Sequence, residues 1–154
     1  MKRRTTVLLL AILCAGATLC LADDANMGTW KLNEAKSKIP AGASKNTTVV
    51  YAMAGDNIKA TIDGVDGKGS PMHSEWIGKF DGKDYPVTGD PASDMRAIKK
   101  VNDLTFDLTV KKNGKVTATG QIVRAADGKS RTVTSHATDA AGNKVETVAV
   151  YDKQ

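Results

Sequence analysis

The chain has 154 residues, 41% of them hydrophobic, with only two Trp, three Tyr and two Phe; 22 basic against 17 acidic residues give a net charge of +5. Lys2, Arg3 and Arg4 account for three of those charges, and they share the first stretch of the chain with both cysteines, Cys14 and Cys20. If that stretch is a cleaved leader, what remains carries +2 and no thiol. This excludes disulfides, zinc–thiolate sites and a Cys nucleophile, and it removes most of the basicity that a nucleic-acid partner would need.

The leader reading rests on a basic start, an uncharged apolar run over 7–21, and Ala22 ahead of Asp23-Asp24. A run of about 15 apolar residues is short of the roughly 20 that cross a bilayer as a helix. Residues 1–22 are therefore expected to be a cleaved signal peptide, and 23–154 a single exported domain, periplasmic or secreted, with no membrane span after cleavage. A monomer is expected.

From there the chain alternates short Thr-, Val- and Ile-rich runs with turn signals. Strands are predicted over 27–32, 47–53, 58–62, 72–80, 85–87, 95–101, 104–110, 116–123, 131–138 and 145–151, with one long polar connection over 33–45. Four connections carry the same signature: Asp66-Gly67-Lys68, Asp81-Gly82-Lys83, Asn113-Gly114-Lys115 and Asp127-Gly128-Lys129. Asx-Gly tolerates the positive φ of a two-residue hairpin turn, so each is expected to be a tight hairpin. Alternation is clearest where Met72, Ser74, Trp76, Gly78 and Phe80 share one face, and where Leu104, Phe106, Leu108 and Val110 oppose Thr105, Asp107 and Thr109. The predicted fold class is all-β: an antiparallel up-and-down meander of about eight to ten strands. Closure into a barrel would remove the edges of so many strands.

Gly28-Thr29-Trp30 at the first strand, followed by a long loop and a run of hairpins, resembles the opening of the lipocalin and calycin barrels. The resemblance implies that Trp30 packs under the closed end of the barrel against an arginine from a late strand, with Arg124 and Arg131 as the two candidates. More of the chain, from Gly28 through Lys38, over 81–89 and at Val150 to Gln154, is similar to a group of small exported bacterial proteins without an established activity. That likeness bears on fold and export.

Candidate chemistry is sparse. His73 and Glu75 sit two apart on one strand face, a spacing that would let them share a metal with a third ligand from a neighbouring strand, His136 or an Asp; the alternative is that both histidines are polar residues on the wet face. The serines have no nucleophile-elbow context and no glycine-rich loop opens a helix, so no enzyme, cofactor or metal is expected. The aromatic face offers more. Met72, Trp76, Phe80 and Phe106 are candidate lining residues for a small apolar or amphipathic ligand inside the barrel; alternatively they are the filled core of a small barrel. The competing class is a structural or protein-interaction module of the cell envelope, working through a strand edge or the 33–45 loop.

Overall fold

The computed structural model describes residues 24–138 and 142–154; the expected signal peptide lies outside them. Ten strands follow one another in chain order: β1 (Gly28–Leu32), β2 (Lys45–Ala54), β3 (Asn57–Val65), β4 (Pro71–Gly78), β5 (Tyr85–Thr88), β6 (Met95–Lys100), β7 (Thr105–Lys112), β8 (Lys115–Arg124), β9 (Ser130–Thr138) and β10 (Lys144–Lys153). Every pairing is antiparallel and between sequence neighbours, and β1 pairs with β10 to close the barrel. The predicted meander and its closure are both present, at the upper end of the expected strand count.

Closure is completed by the long loop. β1 is only five residues long and leaves most of the β10 edge uncovered. A single 3-10 turn (Glu34–Lys36) bulges outward, and the chain then returns to the same edge. The Asn33 and Lys38 N–H groups donate to the Val150 and Val148 carbonyls at 2.8 and 2.7 Å, and the Val150 N–H donates to Ser37 Oγ at 2.9 Å. The β10 edge at Val148 and Val150 is thus satisfied by the loop, which blunts that stretch against pairing with another chain.

The four Asx-Gly-Lys segments build different turns. Only Asn113-Gly114 is the expected two-residue hairpin, with φ of 51° and 76° and Lys112 paired with Lys115. At Asp66 the positive φ belongs to Gly69, while the carboxylate accepts the Lys68 and Ser70 N–H groups at 2.8 Å each. Gly67 is needed there for a different reason: a Cβ would lie 2.0 Å from the Gly42 carbonyl oxygen of the long loop. The remaining two segments sit in wider loops, over 79–84 and 125–129, where Asp81 and Asp127 each accept the N–H two residues on. What the four share is an Asx side chain or glycine shaping the backbone, not one turn type.

An up-and-down barrel gathers alternate connections at opposite ends. The loops after β2, β4, β6 and β8 lie at the same end as the chain's start and finish; those after β1, β3, β5, β7 and β9 lie at the other. Large side chains fill the first end. Trp30 and Trp76 are 0% exposed, Phe106 is 2% exposed, and the Phe80 ring stands 5.0 Å from Phe106 and 6.2 Å from Trp76 between centroids. Tyr85 packs edge-on to Trp76 at 6.0 Å in space left by Gly78, whose absent Cβ would meet both rings at 2.6 Å. Such ring pairs contribute about 0.5–1.5 kcal/mol each beyond the area they bury.

Candidate functional site

The other end is not filled. Inward positions of β8, β9 and β10 carry small side chains, among them Ala118, Ser135, Ala137, Thr147 and Ala149. Barrel diameter grows with strand number, and eight strands already leave an interior that side chains only just fill. Ten strands with small inward residues leave a cavity of about 640 Å³, open at the end that carries the long loop. Ile39 to Lys45 of that loop, Asp66, and the turn from Asp90 to Ser93 form its rim.

Its walls are mainly aliphatic, with Val49, Ile62, Ile98, Leu108, Val110 and Val133 facing the space. Polar groups on the wall are largely satisfied internally, as where Ser135 Oγ and Thr147 Oγ1 lie 2.6 Å apart. The lower part differs. Arg131, 4% exposed, lays its guanidinium over three rings: Cζ is 4.7 Å from the Trp30 centroid, 5.0 Å from Tyr51 and 5.2 Å from Tyr151. Cation–π contacts of this kind are worth about 2 kcal/mol each when water is excluded. Trp30 is held from below, its indole N–H donating to the Asn26 carbonyl at 2.9 Å. Of the two arginines offered by the resemblance, Arg131 meets Trp30; Arg124 instead donates from Nη2 to the Asp103 carbonyl at 2.9 Å.

Arg96 completes this region. It shares the inward parity of Ile98 on β6, and its backbone carbonyl accepts the Trp76 indole N–H at 3.0 Å across the short strand β5. Desolvation pushes its guanidinium below the usual arginine range, with Tyr51, Asp90 and Tyr151 acting in the opposite direction. The area it exposes faces the cavity, so it is part-exposed yet enclosed by protein. Burial also raises the Tyr151 phenol to about 12, although the neighbouring Arg131 and Arg96 charges pull it down. Tyr151 therefore stays protonated and donates to the Asn46 carbonyl at 3.1 Å.

Of the four candidate lining residues, Met72 is on the cavity wall; Trp76, Phe80 and Phe106 are not. They have the inward parity expected, but they lie at the filled end and form its packed core. Three of the four thus belong to the packed core, and Met72 alone faces the open space. Trp30 sits at the barrel end as the resemblance implied. His73 lies on the outer face against Asp63 Oδ1 at 2.6 Å, Glu75 pairs with Lys59 at 2.6 Å, and His136 faces Glu146 at 3.4 Å. β4 and β9 are separated by four strands around the barrel, so these three side chains do not converge. Among the described residues no group of three His, Cys, Asp or Glu is arranged to hold a metal, and no helix is long and apolar enough to cross a membrane.

No protein-family model matches the sequence, nor does any curated protein. Two solved barrels are similar in layout. One is EF1p2_mFAP2b bound to DFHBI, 15% identical with a TM-score of 0.49, over 86% of this chain and 97% of that one. The other is a redesigned β-barrel, mFAP1, bound to DFHBI, 17% identical with a TM-score of 0.45, over 86% of this chain and 98% of that one. Likenesses at this level assign neither residues nor ligand.

Sequence reasoning missed Arg96 altogether and considered Arg131 only as a partner for Trp30. The available signal was parity: Arg96 alternates with Ile98, and Arg131 with Val133, Ser135 and Ala137, so each charge stands on the inward face of its strand.

Proposed function

We propose that this protein is an exported, monomeric, lipocalin-like binding protein that carries a small amphipathic molecule in its barrel and is not an enzyme. The observation that carries the reading is the cavity. At about 640 Å³ it falls within the usual range for small-molecule sites, it is open at one end, and its aliphatic wall surrounds a few polar groups. Burying an apolar chain there releases water from both surfaces, at about 25 cal/mol per Å² removed. Polar groups at depth fix orientation. The basic start and apolar run over 1–22 support export, and Gly28-Thr29-Trp30 with Trp30 beneath Arg131 supports the lipocalin-like reading.

The envelope-module alternative gains little from the strand order, since among the described residues every strand has two neighbours and the loop covers the β10 edge at Val148 and Val150. The test is titration of the purified protein with a fluorescent apolar probe, alongside native mass spectrometry. Saturable binding of one probe per chain is expected. Absence of binding by any apolar or amphipathic probe would overturn the reading.

A further inference from the structure

The cavity separates charge along its axis. Its two carboxylates, Asp66 and Asp90, lie in rim turns and are engaged there. Asp66 accepts from the Lys68 and Ser70 N–H groups, and Asp90 accepts from the Ala92 N–H at 2.8 Å and the Ser93 hydroxyl at 2.5 Å. Deeper in the cavity stand two guanidiniums. Among the described residues neither Arg96 nor Arg131 forms an ion pair, and the Nε of each is buried without a hydrogen-bond partner. Among the described residues the Tyr51 hydroxyl, also on the cavity wall, makes no hydrogen bond to protein, whereas Tyr151 is committed to Asn46.

Taking a charge out of water without a counter-charge costs several kcal/mol, and proteins tolerate it only where something compensates. For Arg131 the three rings offset part of that cost. Among the described residues Arg96 makes no cation–π contact and no ion pair, and Asp90 at the rim favours its charge without outweighing the desolvation. Two cations only partly compensated, neither with an ion-pair partner, and a phenol without a protein hydrogen bond face one space and form a site short of negative charge. An arginine fork is also the side chain best shaped to grip a planar carboxylate through two parallel hydrogen bonds.

We propose that the ligand carries a single anionic head, a carboxylate or its chemical equivalent, held between Arg96 and Arg131 beside the Tyr51 hydroxyl, with its apolar tail rising along the small-residue wall to the mouth. The orientation follows from the charge separation: at the rim Lys45 is already paired with Glu34 at 2.8 Å and a head would sit beside Asp66 and Asp90, while a head at depth meets only cations. The tail then lies against Val110, Ala118, Val133, Ala137 and Val145, where no charge needs solvation. Long-chain monocarboxylates fit this description. The inference rests on the ligand-binding reading above and narrows it to one head-group chemistry.

The test compares parinaric acid with its methyl ester, which differ only in the charge of the head. Both are titrated by fluorescence into wild-type protein, freed of bound lipid by unfolding and refolding, and into Arg96→Met. A charge-assisted hydrogen bond is worth about 1.5–3 kcal/mol, so the acid is expected to bind wild type about ten- to a hundredfold more tightly than the ester. In Arg96→Met that preference should fall to about twofold or less, and Arg96→Lys, which keeps the charge without the fork, should lie between. Circular dichroism establishes that the variants are folded; if Arg96→Met is not, Arg96→Lys and the wild-type acid-to-ester ratio decide. Equal binding of acid and ester by wild type would overturn the anionic head while leaving the ligand-binding reading intact. A preference that survives Arg96→Met unchanged would overturn the assignment to this site. If neither probe binds wild type, both readings fall together.

Discussion

The two ends of this barrel are made by the same strands and the same alternation, yet they do different things. At the end carrying the chain termini, inward positions hold Trp30, Trp76, Phe80 and Phe106, and the space is packed. At the mouth the inward positions hold Ala118, Ala137, Val145 and Thr147, and the space stays open. Alternation decides which side chains point inward; residue volume at each height decides whether the interior is core or cavity. Arg131 stands at the boundary, its guanidinium stacked on Trp30 and on the cavity side reaching Tyr51 and Tyr151. Stability should therefore concentrate at one end and ligand recognition at the other.

The sharpest way to break that division is at its base. Trp30→Ala removes a fully buried indole, its bond to Asn26 and the platform under Arg131, and a loss of about 3–5 kcal/mol is expected in urea denaturation. A loss below about 1 kcal/mol would mean that the filled end does not anchor the fold. Tyr151 offers a second probe, read through pH. In the unfolded chain its phenol titrates at 10.0, and in the folded chain at about 12. Across that window the unfolded state releases a proton that the folded state keeps, so stability declines as pH rises, by about 2–3 kcal/mol from this group. Tyr151→Phe gives up the bond to Asn46, about 1 kcal/mol at neutral pH, but should lose less on going from pH 9 to pH 12. Parallel pH profiles for the two proteins would refute the burial assigned to this phenol. Gly78→Ala follows with about 1–3 kcal/mol, because a Cβ there meets the Trp76 and Tyr85 rings at 2.6 Å and the packed end has no slack. A neutral outcome by thermal melting would show that those rings move freely.

The comparison also explains how far the sequence could be read. All ten strands were legible, because most are short runs rich in β-branched or aromatic residues and all are bounded by turn signals. Turn type was less legible. Asn113-Gly114 stands alone between its strands and makes the expected hairpin, but Asp66-Gly67 precedes Gly69, which takes the positive φ, and Gly67 is shaped by a contact with Gly42 that only the folded loop creates. For the candidate site, parity was visible and height was not. Met72 and Phe80 share one face of the predicted strand, but β4 ends at Gly78, and one lies near the mouth while the other lies in the plug. Arg96 and Arg131 had the parity of inward residues from the outset; composition encourages placing a charge on the wet face, and only the closed barrel shows them sharing one cavity.

The smallest effect on stability should come from the change that most alters the open end. Ala118 lies on the cavity wall of β8, and the space before it is open. Ala118→Phe places a large apolar ring in that space instead of forcing it into a packed core, so the overpacking cost that limits Gly78→Ala does not arise. New contacts with the neighbouring wall residues are gained at the expense of side-chain freedom, and the net change is expected to stay within about 1 kcal/mol of zero. Binding should respond differently. A phenylalanine ring removes volume that an apolar tail would occupy, and loss of about two or three methylene contacts weakens a ligand by roughly tenfold or more. The pair Gly78→Ala and Ala118→Phe thus opposes two small-to-large changes on the same inner surface: one destabilises and leaves the mouth untouched, the other is stable and closes it. If Ala118→Phe instead unfolds the protein as Gly78→Ala is expected to weaken it, the upper barrel is as tightly packed as the lower, and the cavity is not available to any ligand.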